Sequence, residues 1–325
     1  MLGLGLSFLQ GALLKTHYSA IIANEFKARV EADGGTVESM SCLKSDIKAL
    51  NPIDRRLYAY LLDDYSGAAA AYSLRQLSST YSGDAIVVRR ASDNTTQSIG
   101  FVNNELDTAT LESFCSGTDG FVTTWYDQSG NGVNAAQSTA SAQPKIVSAG
   151  STILENGKAA VEFDGSSDNM VTSSNFIANT DLSLFLLRKF NSKSTAPQDV
   201  ISQGATANSQ GFKYGMSGGF QDQLAIYYSS IYVPTDGTTT TNQELHSLIT
   251  TSSATTLNIN ATSQILNTSS GNQIGNNNDP LTIGQRDSGG GLFNGNIQEL
   301  VIYTADKSTD ESGIETNINS YYSIY

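Results

Sequence analysis

The chain has 325 residues, a formal net charge of −13 and only 15% charged residues. An acidic chain without lysine or arginine runs is not expected to bind nucleic acid. It has no stretch of about 18 apolar residues, so no membrane-spanning helix is predicted. Cys42 and Cys115 are its only cysteines, which excludes a disulfide framework. The length fits one large β domain, with or without an appendage.

The first 50 residues are predicted to form an apolar arm and two short helices. The arm, residues 1–14, superficially resembles a signal peptide, but no basic residue precedes it and Lys15 follows it instead. Cleavage and packing onto another protein are the two alternatives. Helices are predicted at 16–33 and 36–50, and Pro52 follows the second. Because each helix has one apolar stripe, the segment should pack on the following domain or on another chain.

From Ala70 onward the pattern is one of short strands separated by turn residues. This pattern predicts a β-sandwich over 56–325, behind an N-terminal anchoring segment, 1–55. A closing helix is predicted within 306–325, with Ser308 as its cap and Ile314, Ile318, Tyr321 and Tyr322 facing inward. The main predicted strands are 85–90, 121–125, 159–163, 182–188, 224–228, 245–249, 256–260, 281–284 and 296–303.

The stretch 121–132 joins a buried strand to a tight, glycine-rich turn. Trp125, the only tryptophan, lies at the join, and Asp127 occupies the corner. Ser129 and Asn131 alternate with glycines that allow positive φ. The Asp127 side chain is predicted to accept hydrogen bonds from the loop's own backbone. We also expect Trp125 and Phe163 to be buried between the sheets or at their edge.

No cofactor is predicted, although two places offer oxygen ligands for Ca²⁺. Asp127, Ser129 and Asn131 match the first half of an EF-hand loop, but Ser138 stands where that loop needs a glutamate. A hydrogen-bonded turn is the alternative there. A second candidate oxygen site consists of Asp164, Asp168 and Asn169. The histidines, His17 and His246, are far apart in sequence and support no zinc site.

The run Tyr126-Asp127-Gln128-Ser129-Gly130-Asn131-Gly132 resembles the loop of laminin-G-like and concanavalin-A-like domains. It is similar in particular to the catalytic domain of fungal α-L-arabinofuranosidase B. The likeness extends to 72–75, 81–83, 88–90, 92–96, 157–159 and 281–284. It implies a mainly β fold, a concanavalin-A-like jelly-roll β-sandwich. Those enzymes close a small loop with two cysteines; Cys115 matches the first, and Gly120 replaces the second.

The resemblance also implies two catalytic carboxylates. Asp287 falls on the acid/base position, just after the Leu281-Thr282-Ile283-Gly284 strand. The nucleophile should be a glutamate within 209–216, where this chain has no acid; Asp222 is the nearest. A retaining glycosidase without a nucleophile forms no covalent intermediate. We therefore predict no hydrolysis of arabinofuranosides and treat Asp287 as a turn residue or sugar ligand.

A second resemblance lies at residues 26–38, which look like a helical module at the N-termini of tailed-phage structural proteins. An ordinary helical hairpin that caps the sandwich is the alternative. The phage resemblance predicts a virion location and a virion structural protein: a fibre, tail or capsid-decorating component. Residues 1–50 would contact other virion proteins, and a homo-oligomer is expected.

In that interpretation the sandwich binds a host-surface glycan or decorates the particle. Candidate glycan contacts are Asp287, Tyr214, Tyr227, Tyr228 and Tyr232, with core packing as the alternative for each tyrosine. Two other functions are kept open: a secreted glycoside hydrolase related to arabinofuranosidases, and a secreted carbohydrate-binding adhesin.

Overall fold

The structure is a computed structural model that describes residues 60–177, 181–192, 196–204, 212–216, 224–226, 231–232, 240–264, 279–286 and 289–325. For 224–226 and 231–232 it describes the backbone alone. The predicted arm, both predicted N-terminal helices and Cys42 lie outside these residues. The assembly role of residues 1–50 and the homo-oligomeric state therefore stay predictions, which truncation at Pro52 would test.

Most of the regular structure in the described residues is antiparallel β-strand. The helices are α1 (Leu61–Asp64), α2 (Thr108–Phe114) and α3 (Glu311–Tyr322), with a 3₁₀ turn at Ala140–Ala142. The strands are β1 (Ala70–Ser73), β2 (Ile86–Arg90), β3 (Thr96–Ile99), β4 (Phe101–Val102), β5 (Glu105–Leu106), β6 (Gly120–Trp125), β7 (Ala135–Ala136), β8 (Lys145–Ser148), β9 (Ser151–Thr152), β10 (Leu154–Glu155), β11 (Lys158–Ala159), β12 (Val161–Asp164), β13 (Met170–Thr172), β14 (Leu182–Phe190), β15 (Gln198–Gln203), β16 (Phe212–Met216), β17 (Leu224–Ile226), β18 (Ile231–Tyr232), β19 (Gln243–Thr250), β20 (Thr255–Ile259), β21 (Thr262–Ser263), β22 (Thr282–Ile283) and β23 (Asn294–Tyr303).

The paired strands form two antiparallel runs. In the first run the order is β21-β20-β19-β14-β23, with β1 and β12 both on the far edge of β23. In the second run the order is β3-β2-β6-β7-β13-β22-β15-β16-β17-β18. The runs are continuous because β8 pairs with both β6 and β12.

The main core lies between the two runs, as a sandwich requires. Leu184, Leu186 and Ile302 contribute from the first run, and Trp125 and Ile201 from the second. All five are fully buried. Phe163 is also fully buried, which confirms the predicted burial of Trp125 and Phe163. The predicted mainly β, jelly-roll sandwich with a C-terminal helix is thus confirmed.

Helix α3 covers the other face of the first run. The alternating residues Phe185, Leu187, Val301 and Tyr303 point to this face and pack against the helix. The inward helix residues Ile314, Ile318 and Tyr322 are buried as predicted, whereas Tyr321 is only partly buried. Ser308 is not the cap: the N-cap residue is Asp310, and its side chain makes no capping bond.

Candidate active site

The loop 126–132 fixes its own shape and clamps β1. The Asp127 Oδ1 atom accepts from the backbone N–H groups of Ala71 and Ser129, each at 2.8 Å. Its Oδ2 atom accepts from Ser129 Oγ at 2.7 Å and from the Val133 N–H at 3.0 Å. The Asn131 amide donates to the carbonyl oxygens of Ala68 and Ala69 at 2.9 and 3.1 Å.

This geometry gives Asp127 a structural role. Four hydrogen bonds use the acceptor positions of a carboxylate that is only 4% exposed. Gln128 extends the same network, because its side chain bridges the Leu77 N–H and the carbonyl oxygens of Ser73 and Arg75. Throughout the described part of the chain, no group of three or more His, Cys, Asp or Glu residues could hold a metal ion.

The candidate active site lies where β15, β16 and β22 meet. A β-bulge interrupts β15 between Asp199 and Ile201, and bulges of this kind re-aim a side chain. Asp199 is thereby turned toward the loop 284–291, while Val200 and Ile201 are both fully buried in the core. Opposite Asp199, Gly215 allows the strands to approach: an added Cβ there would lie 2.1 Å from the Gln198 carbonyl oxygen.

The described residues of the loop 284–291 are attached to β15 by an ion pair and by backbone hydrogen bonds. Arg286 donates to Asp199 Oδ2 from Nε at 3.0 Å and from Nη2 at 2.9 Å. The Asp199 N–H donates to the Gly291 carbonyl oxygen at 2.6 Å. Gly291 has φ +58, and an added Cβ would lie only 2.0 Å from Asp199 Oδ2, so the loop requires glycine there. Asp199, 3% exposed, is thus a buried carboxylate held by an arginine.

The predicted site residues fall in different places. Asp287 follows Arg286 directly in sequence but lies outside the described residues, as do Tyr227, Tyr228 and Asp222. Tyr232 is on β18, where only the backbone is described. Sequence reasoning missed Asp199 because its strand, Gln198–Gln203, is largely polar and has no clear alternation. One signal in the sequence could have pointed to Asp199. Arg286 lies next to Asp287, the acid/base position that the resemblance implies, and an arginine at such a place suggests a carboxylate partner nearby.

Tyr214 belongs to a buried polar cluster inside the sandwich. It is fully buried, so it cannot stack on a sugar at the surface, and the glycan-contact prediction is corrected for this residue. Its hydroxyl lies 2.5 Å from His246 Nδ1, and His246 Nε2 lies 3.1 Å from Glu244 Oε2. Arg188 Nη2 lies 2.8 Å from both Glu244 Oε2 and His246 Nε2.

Burial sets the charges of this cluster. Burial, together with the Arg188 charge, lowers the pKa of His246 to about 4, so the imidazole is neutral at pH 7. Burial alone would raise the pKa of Glu244, but the His246 hydrogen bond and the Arg188 charge lower it to about 2. The cluster is therefore an Arg–Glu ion pair with a neutral His and Tyr, a structural arrangement inside the core.

A carboxylate pair also lies at the turn after β12. Asp164 Oδ1 accepts from the backbone N–H groups of Ser166, Ser167 and Asp168 at 2.7, 2.9 and 3.2 Å. Asp168 Oδ2 accepts from the Asp164 N–H at 3.0 Å. Burial, and then the nearby Asp164 charge, raises the pKa of Asp168 to about 7. Gly284 packs beside this turn, since an added Cβ would lie 3.1 Å from the Asp168 carbonyl oxygen.

Gly120, which replaces the second cysteine of the resemblance, lies close to the first, Cys115. Cys115 is a buried free thiol at the end of α2. A Cβ added at Gly120 would lie 2.7 Å from Cys115 Sγ. The two positions are therefore adjacent across the short loop, in agreement with the correspondence that the resemblance implies.

The fold and this site place the chain among concanavalin-A-like jelly-roll sandwiches with a candidate carboxylate site at one sheet. The sequence model of the family described as "Alpha-L-arabinofuranosidase B, catalytic" matches residues 61–180. No curated protein sequence matches the chain. The matched segment contains the loop 126–132 and ends before β15, β16 and β22.

Similar folds come from arabinofuranosidases. A structure of an arabinofuranosidase complexed with arabinofuranosyl-α-1,2-xylobiose has a TM-score of 0.64 and 13% identity, over 82% of this chain and 64% of that one. A mutant GH54 α-L-arabinofuranosidase soaked with 4-nitrophenyl α-L-arabinofuranoside has a TM-score of 0.64 and 15% identity, over 82% and 65%. The chain thus spans slightly less than two thirds of each arabinofuranosidase. At this identity the likeness establishes the fold.

The family match corrects the functional prediction from sequence. It is a match to the catalytic domain of an enzyme, so the interpretation as a non-enzymatic virion protein, with tail-fibre and host-attachment roles, is wrong. The N-terminal phage resemblance falls on residues outside the described part of the chain. The alternative of a glycoside hydrolase related to arabinofuranosidases fits the comparisons better.

Proposed function

We propose that the chain is a glycoside hydrolase that cleaves arabinofuranosyl linkages. The observation that carries this proposal is the Arg286–Asp199 ion pair, which fastens the loop 284–291 onto a buried carboxylate. The resemblance assigns the acid/base to Asp287, the next residue after Arg286. The family match over 61–180 supports the same reaction class.

Glycoside hydrolysis needs two carboxylates, one on each side of the scissile bond. We assign Asp287 as the general acid/base and Asp199 as the second carboxylate. The Arg286 guanidinium gives Asp199 a charge-assisted partner, which suits a group that must act as an anion. This assignment supplies the carboxylate that is absent from 209–216, from a strand that pairs with β16 in the tertiary structure.

The role of Arg286 follows from the same contacts. Its side chain is 25% exposed and that of Asp199 is 4% exposed, so the arginine is the more accessible partner of the pair. It can hold the Asp199 oxygen in one position relative to the described ends of the loop 284–291. Fixed placement of the reacting groups is a main source of rate acceleration.

The experiment is hydrolysis of 4-nitrophenyl α-L-arabinofuranoside by the full chain. We expect turnover by the wild type and a loss of kcat/KM of about 1000-fold or more in both Asp199→Asn and Asp287→Asn. Asp306→Asn is the matched control, because Asp306 is an exposed turn acid that only accepts from the Ser308 N–H at 2.9 Å.

Two outcomes would contradict these assignments. A wild-type chain without turnover on arabinofuranosides would overturn the hydrolase proposal. Full activity in Asp199→Asn, combined with inactivity in Asp222→Asn, would move the second carboxylate to Asp222. The configuration of the first product, followed by NMR, separates a nucleophile from a general base, because only a nucleophile gives retention.

A further inference from the structure

The buried cluster of Tyr214, His246, Glu244 and Arg188 joins the two runs of strands. Tyr214 lies on β16 of the second run, whereas the other three residues lie on β14 and β19 of the first. The Tyr214 hydroxyl and the His246 Nδ1 atom are 2.5 Å apart and form a hydrogen bond across the core. All four side chains are buried. The bond therefore attaches β16 to the first run inside the sandwich.

The first run holds the His246 end of this bond in place. The Nε2 atom of His246 lies 3.1 Å from Glu244 Oε2 and 2.8 Å from Arg188 Nη2. Arg188 and Glu244 face each other in the β14–β19 ladder, and β20 pairs with the other side of β19. Thr240 Oγ1 also donates to Glu244 Oε1 at 2.6 Å. The imidazole is thus contacted at both of its nitrogens and has a fixed position.

Stability alone does not explain the cluster. In the described part of the chain, Arg188 Nε and Nη1 are buried without a hydrogen-bond partner. A buried ion pair contributes little net stability, because the desolvation of both charges offsets their attraction, and well-packed apolar residues are often at least as stable. A buried polar network does, however, make its surroundings rigid and specifies one arrangement of them. This points to a role in positioning.

The strand that Tyr214 anchors is the neighbour of Asp199. Gly215, the residue after Tyr214, pairs with Asp199, and Tyr214 pairs with the residue that follows the β-bulge of β15. Because the bulge disrupts the ladder between these two pairs, backbone hydrogen bonds fix the two strands less firmly there. The strands are nevertheless in close contact, since a Cβ added at Gly215 would lie 2.7 Å from the Asp199 Cα atom. A shift of β16 is therefore transmitted to Asp199.

We propose that Tyr214 is a positioning residue for Asp199 and acts through its hydrogen bond to His246, an inference that rests on the proposed hydrolase function. Phe212 and Met216 of β16 are also buried in the core, but apolar burial is non-directional. The Tyr214 hydroxyl adds a directional bond where the β15–β16 ladder is interrupted. Without that bond the Asp199 carboxylate should depart from its productive position, and small misplacements of a reacting group slow a reaction strongly.

The test is a double-mutant cycle of Tyr214→Phe and Asp199→Asn in the full chain, with kcat and KM measured on 4-nitrophenyl α-L-arabinofuranoside. Tyr214→Phe removes only the hydroxyl and keeps the buried ring. Tyr303→Phe is the matched control, because Tyr303 is equally buried and its hydroxyl donates to the Tyr65 carbonyl oxygen at 2.7 Å. Tyr303 packs against α3, on the face of the first run that points away from β16.

We expect Tyr214→Phe to lower kcat about 10-fold and to leave KM unchanged. In the Asp199→Asn background the same change should lower kcat less than about 2-fold, because the group that Tyr214 positions is already absent. Tyr303→Phe should lower Tm as Tyr214→Phe does and leave kcat unchanged. A Tyr214→Phe variant with full kcat, or with the same fold-loss of kcat in both backgrounds, would show a purely structural tyrosine and overturn the proposal.

A second measurement does not depend on turnover. The titration of the Asp199 carboxyl carbon is followed by NMR in the wild type, Tyr214→Phe and Tyr303→Phe. A carboxylate that loses its fixed place beside Arg286 should titrate at higher pH, and we expect this shift in Tyr214→Phe alone. A chain that shows the shift but cleaves no arabinofuranoside keeps the positioning role and loses the hydrolase function. A chain that cleaves the substrate without the shift and without coupling in the cycle keeps the hydrolase function and loses the positioning role.

Discussion

The loops 126–132 and 284–291 both end a strand of the second run and both contain glycines with positive φ, yet they are stabilised in different ways. In the first, Asp127, Ser129 and Asn131 bond the loop's own backbone and the adjacent β1. In the second, the side-chain anchor is Arg286, whose partner Asp199 is 87 residues away. The first loop shows that a recognisable polar motif can be structural. The second shows that a buried carboxylate paired with an arginine can lie outside any motif.

The largest effect should come from breaking the first loop. Asp127→Ala leaves the N–H groups of Ala71, Ser129 and Val133 without an acceptor. At about 1–3 kcal/mol per buried unpaired group, the two buried groups of Ala71 and Val133 give an expected loss of about 2–6 kcal/mol in the free energy of unfolding. Urea denaturation of the variant measures it. Asp306→Ala, in an exposed turn, should cause little change; an equal loss in both variants would contradict a special role for Asp127.

The second prediction breaks the other loop at Arg286. Arg286→Met should lower kcat/KM on the aryl arabinofuranoside by about 100-fold, because the loop loses its fixed position against Asp199. The loss of unfolding free energy should be about 3 kcal/mol, because the change leaves the buried Asp199 carboxylate without its charged partner. Steady-state kinetics and urea denaturation measure the two effects.

The matched control for this variant is Arg90→Met, because Arg90 pairs with Asp93 at 2.6 Å on the exposed surface. It should leave both activity and stability unchanged. If Arg286→Met retains full activity while its stability falls, the arginine is structural only, and the second loop resembles the first.

The third prediction concerns pH and the Asp164–Asp168 turn beside Gly284. The pKa of Asp168 is about 7 in the folded chain, against an ordinary value of 3.8. Between these values the folded state binds the proton and the unfolded state does not, so stability is lost as pH rises through 7. Asp168→Asn should remove this loss. The free energy of unfolding of the variant, relative to that of the wild type, should therefore increase by about 2 kcal/mol between pH 5 and pH 8.

Denaturation midpoints at pH 5 and pH 8 test the Asp168 prediction. Parallel pH profiles for the wild type and Asp168→Asn would contradict it. Asp306→Asn should give the wild-type profile, because its side chain lies in an exposed turn.

The smallest effect should come from a covalent addition at the start of β6, the strand that leads into the first loop. Gly120→Cys places a Cβ 2.7 Å from Cys115 Sγ, within reach of a disulfide. The closed loop is short, and Val88 and Val147 crowd the new Cβ at 3.1 Å, so the expected gain is about 1–2 kcal/mol under oxidising conditions. A thiol count that falls from three to one, and a Tm that drops with reductant, would confirm it. Gly120→Ser controls for the crowding.

Residue patterns in the sequence determined the sandwich, the buried Trp125 and Phe163, the closing helix and the structural role of Asp127. These features depend on strand alternation, helical spacing and bonds between residues a few positions apart, all of which are visible in one chain segment. The sequence also led to a wrong function, because an expected nucleophile was sought within a single stretch, 209–216, that contains no acid.

Only the tertiary structure brought Asp199 to Arg286, and Tyr214 to His246. The first contact depends on a β-bulge and on Gly291, and the second on two strands that pack across the core. Neither contact can be derived from a residue period or spacing in the sequence. Contacts between distant segments are fixed by strand pairing and by the packing of the whole domain.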